Sequence, residues 1–116
     1  MIHRIVMSVF AAFCFVSCGT STPVQRYSES KSHFSRPPVL MSHNYPERDL
    51  YRVYCRGASG FVPISAVRSD LEERAEKFCQ RQGKRMVLLG EQKSNHPYIL
   101  GNFPRMEIVF AAVDHP

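Results

Sequence analysis

Only from Leu50 onward do apolar residues recur with a sustained period, roughly 65 residues of a 116-residue chain, and so short a span can enclose only one marginal core. Within it, Leu50-Tyr51-Arg52-Val53-Tyr54-Cys55-Arg56 alternates, placing Tyr51, Val53 and Cys55 on one face and Arg52, Tyr54 and Arg56 on the other, which is strand periodicity. Gly57-Ala58-Ser59-Gly60 interrupts it, and Pro63 in Phe61-Val62-Pro63-Ile64 suits a turn or an edge rather than a central strand. A helix is expected from about Asp70 to Gln82. Ser69 and Glu72 form a capping box at its start, Glu73 and Lys77 pair one turn apart, and Gly83 ends it. Leu71, Ala75, Phe78, Cys79 and Gln82 fall on the side that should face a sheet.

Two further apolar runs, Arg85 to Gln92 and Arg105 to Val113, have strand length. Ser94 to Pro104 between them holds two prolines and a glycine and reads as a long hairpin loop. The expected fold is therefore α+β in the order β-α-β-β, one helix on a three-stranded sheet, over residues 49–116. A parallel return after the helix would be right-handed, and the last two strands would pair antiparallel.

The first residues obey different rules. Arg4 precedes Ile5 to Val16, a twelve-residue apolar run whose one polar side chain is Ser8. As a helix it would rise only about 18 Å, short of a hydrocarbon core of about 30 Å, so it reads as a leader rather than a span. Phe15-Val16-Ser17-Cys18 closes it. Those four residues resemble the bacterial lipobox, although Phe15 stands where that family usually has leucine or another aliphatic. The resemblance covers only the leader. It implies a signal peptide of residues 1–17 and a lipidated Cys18 as first residue of the mature chain. Several acyl chains there would anchor it stably, since one chain holds only weakly. Gly19 next to Cys18, where inner-membrane lipoproteins often carry Asp, implies by the same resemblance the periplasmic face of the outer membrane. An ordinary secretory leader cut after Ser17 would instead leave Cys18 as a plain thiol.

Gly19 to Pro46 is rich in Ser, Thr and Pro, and residues 18–48 read as a flexible tether reaching about 30 Å as a random coil. Phe34, Val39, Leu40, Met41 and Tyr45 within it could dock on the domain or on a partner. Loss of Cys14 with the leader and lipidation of Cys18 would leave Cys55 and Cys79, which an oxidising compartment should join in a disulfide. With 23 residues between them, no CxxC and no histidine nearby, a zinc site is not indicated.

Removing residues 1–17 leaves 14 basic residues against 10 acidic ones. A basic surface on an exported protein suits lipid A phosphates, acidic glycans or an acidic protein face better than nucleic acid. No histidine lies beside a placed nucleophile, and Gly57-Ala58-Ser59-Gly60 is not the nucleophile elbow of hydrolases, so neither catalysis nor a cofactor is expected. The contact candidate is the loop before the last strand, where His96, Tyr98, Ile99 and Phe103 carry more apolar surface than a turn needs; folding back onto the core would explain them equally. In general plan the chain resembles small disulfide-bonded envelope stress-sensor lipoproteins. The expected role is binding, scaffolding or sensing at the envelope. The alternatives are an anionic-ligand module or an envelope-processing enzyme or its inhibitor.

Overall fold

The computed structural model describes residues 18–95, 97–98 and 102–116. The leader, residues 1–17, lies outside them, as do His96 and Ile99. The fold is α+β: strands β1 (Cys18–Ser21), β2 (Gln25–Arg26), β3 (Leu50–Gly57), β4 (Lys84–Lys93) and β5 (Arg105–Asp114), with helix α1 (Ile64–Arg81) between β3 and β4. The sheet runs β1-β3-β5-β4, with β2 also on β3, and every pairing is antiparallel. Because β5 inserts between β3 and β4, those two run parallel to each other without touching. The crossover through α1 therefore skips one strand position, and the two short N-terminal strands widen the expected three-stranded sheet to five.

The helix begins six residues before the expected Asp70. Pro63, extended at φ −68° and ψ 147°, occupies the N-cap, and Ser69 lies inside the helix. Proline just ahead of Ile64 presets the backbone for a helix start, and beginning there lets Val67 join Leu71, Ala75 and Cys79 on the buried stripe. Tertiary burial outweighs the local capping signal. At the other end Gly83 takes φ +66°, the left-handed conformation that stops the helix without strain.

Position in the sheet explains the long apolar run of β5. It is central, so Met106, Ile108, Phe110 and Ala112 face α1 in one core with Val53, Val67, Leu71 and Ala75. Ala111 and Val113 face the other way, into a second cluster with Leu50 and Leu89. That second face is covered by part of the segment read as a tether. Tyr27, Leu40 and Tyr45 pack on the second cluster, and the Met41 amide donates to the Leu89 carbonyl at 2.9 Å. Gln92 Nε2 donates to the Arg36 carbonyl at 2.9 Å. A Cβ on Gly90 would sit 2.7 Å from the Val39 carbonyl oxygen, so glycine there permits the close crossing. Residues 27–45 are in this sense a strap laid over the sheet.

Candidate functional site

The one carboxylate in the β5 apolar run sits at the centre of the strap. Glu107 is 0% exposed, and a charge in a strand buried on both faces must be matched by donors. Its Oε2 accepts from Arg52 Nη1 at 2.9 Å and from Ser32 Oγ at 2.6 Å. Its Oε1 accepts from the His33 backbone amide at 2.8 Å and lies 3.2 Å from His33 Nδ1. Burial pushes the Glu107 carboxyl up, but the contacts from Ser32, His33 and Arg52 outweigh it and hold the group below its ordinary 4.5.

Strap and sheet interlock around this pair. Arg52 Nε donates to Ser30 Oγ at 3.2 Å while its guanidinium lies over the Tyr27 ring at 4.9 Å. His33 stacks on Tyr54 with centroids 4.2 Å apart and planes 10° from parallel, and Phe34 meets the same ring edge-on at 6.2 Å. Arg105 covers Phe34 at 4.4 Å. Alternation along β3 puts Arg52 and Tyr54 on this face, and the β3–β5 register sets Tyr54 opposite Glu107. Both carboxylate oxygens are occupied by groups of the chain itself. The cluster works as a clasp between strap and sheet.

The cysteines correct the sequence expectation. Cys79 is a free, buried thiol, so the Cys55–Cys79 bridge is not formed. Burial raises the Cys79 thiol above its ordinary 9.0, which keeps it protonated and inert. The reason for the missing bridge is the register of helix on strand. Cys55 Sγ lies 3.9 Å from Asp70 Oδ2, and Cys79 is nine residues further along α1, about 13 Å at 1.5 Å per residue. The level of Cys79 is instead that of Tyr51, whose ring lies 4.6 Å from that of Phe78. A disulfide needs Cα atoms within about 7 Å.

Of the loop candidates, Tyr98 and Phe103 are half-buried against their own domain. The Tyr98 hydroxyl donates to the Ser94 carbonyl at 3.1 Å, and Arg56 lies over the Phe103 ring at 4.7 Å. His96 and Ile99 fall outside the described residues. Of Glu107, Arg52, Ser32 and His33 the sequence singles out Arg52 alone, on the basic face of its strand; for Glu107 the signal available is a lone acid inside an eight-residue apolar run. Among the described residues no group of three or more His, Cys, Asp or Glu side chains could hold a metal ion, and no helix is long and apolar enough to cross a membrane. Comparison with protein-family models, with curated proteins and with solved structures finds no match in any of the three.

Proposed function

We propose that the chain is an exported envelope lipoprotein, anchored through Cys18 at the periplasmic face of the outer membrane, whose domain binds, scaffolds or senses rather than catalyses. The observation that carries this reading is Phe15-Val16-Ser17-Cys18 behind an apolar leader. A binding role is favoured over catalysis because the most elaborate polar cluster, around Glu107, is spent on holding the strap.

The test is incorporation of radiolabelled palmitate in cells, with membrane fractionation. Label in the wild-type chain, none in Cys18→Ser, and recovery with outer membranes are the expected results. A wild-type chain that is unlabelled and soluble overturns the anchor.

One observation favours a second reading, ordinary secretory cleavage with Cys18 left as a thiol. Cys79 is free, and the β1 backbone sets Cys18 opposite Gly57, two residues from Cys55. A thioether and a disulfide at Cys18 exclude each other. Mass spectrometry of a non-reduced tryptic digest separates them: residues 18–26 joined to residues 53–56 supports the second reading, and a lipid-modified residue 18 supports the first.

A further inference from the structure

We infer that the Ala58–Phe61 turn and the basic residues beside it form a membrane-contact surface that lies on the phospholipid bilayer holding the anchor; the inference rests on lipidation at Cys18. The first ground is the absence of slack. Cys18 is itself a residue of the sheet, paired with Gly57, and Thr20 follows opposite Arg56. Paired residues on antiparallel strands sit about 5 Å apart. Gly19 packs so closely on the turn that a Cβ there would meet the Ala58 Cα at 2.7 Å. Lipid chains on Cys18 would therefore bring this end of the domain to the headgroups, with no coil between them.

The second ground is what that end presents. Phe61 is 98% exposed, and four residues of chain hold it within about 14 Å of Gly57. A single exposed apolar side chain carries no information by itself; its place beside the anchor residue does. Arg56, Lys93 and Arg105 share this end, where β3 and β4 finish and β5 starts. The described residues 18–21, 56–61, 93–95, 97–98 and 102–105 contain no Asp or Glu. Further in, Glu91 and Asp70 are paired with Arg68 and Arg74. An apolar ring flanked by cations without acids matches an interface whose phosphates lie just above its acyl chains.

The chain contains no tryptophan, so Phe61→Trp supplies a single fluorescent reporter at a position where an exposed ring already stands. The full lipidated protein, its acylation established by palmitate label, is reconstituted into vesicles of phosphatidylethanolamine and phosphatidylglycerol. His115→Trp serves as the distal reporter; β5 carries its exposed site about 30 Å from Arg105. The expected result is a blue shift of the Phe61→Trp emission and its loss with brominated acyl chains, with His115→Trp unchanged. A labelled protein whose Phe61→Trp emission stays that of a water-exposed indole overturns the inference and leaves the anchor standing. Equal quenching of both reporters overturns it as well, because the domain would then have no preferred face. Absence of palmitate label removes the anchor and the inference together.

Discussion

The two faces of the sheet are closed by different physics. Under α1 the contacts are apolar and periodic: Val67, Leu71, Ala75 and Cys79 descend from one helix onto Met106, Ile108, Phe110 and Ala112 of β5. On the opposite face an irregular strap contributes isolated side chains, Tyr27, Leu40 and Tyr45. Its position is set by hydrogen bonds and rings around Glu107. Hydrophobic burial is non-directional and scales with area, so a helix can hold a face without specifying much. A strap with little area needs directional contacts to lie in one place.

That contrast is broken most forcefully from the helix side. Phe110 is fully buried, stacked on Tyr51 at 5.8 Å and edge-on to Phe78 at 6.1 Å. Phe110→Ala should cost about 3–5 kcal/mol, a large part of what a small domain possesses. In urea unfolding followed by circular dichroism the midpoint falls sharply, and protease accessibility of the strap should follow the same curve. A loss below about 1 kcal/mol, far under that expectation, would mean that the apolar face does not dominate.

The same contrast decides what was legible beforehand. Helix, strands and the α+β class could be read because burial on one side leaves a period in the sequence. Gly83 marked the helix end for a local reason, its left-handed backbone. The helix start was not legible, because Ser69 and Glu72 satisfy a local rule while burial of Val67 beneath the sheet is a tertiary event. Nor was the cysteine geometry: whether Cys79 reaches Cys55 depends on how far α1 slides along β3, and chain separation says nothing of that. The strap left no period at all, since its contacts are single and irregular. Its traces were Glu107, an acid among apolar neighbours, and the scattered apolar residues Leu40 and Tyr45, which dock on the second cluster.

The strap side should respond to charge rather than volume. Arg52 is nearly buried against Glu107, and Arg52→Met leaves a buried carboxylate short of its cationic partner, at a cost of about 3 kcal/mol. Replacing both, Arg52→Met with Glu107→Leu, should recover much of that loss, because a buried pair is worth little against apolar residues of similar size. What the double variant should not recover is the strap's position. Amide exchange at Ser32 and His33 is expected to stay fast in it while α1 remains protected. If Arg52→Met unfolds at the wild-type urea concentration, the clasp contributes nothing.

The smallest effect, and the most specific, comes from acid. Glu107 titrates below its ordinary 4.5 in the folded chain, so its contribution is complete above that value. It is lost as pH falls through the lower folded-state value, where the folded chain at last takes up the proton that the unfolded chain already holds. Glu107→Gln keeps the shape, loses the titration and should be the less stable protein at neutral pH, where it meets Arg52 without a charge. Urea midpoints of the two proteins should therefore converge as pH drops below 4.5, with strap amides exchanging faster in the wild type before those of α1 do. A gap between the two proteins that stays constant from neutral pH into that range would show the strap to be held by shape alone, making the two faces alike after all.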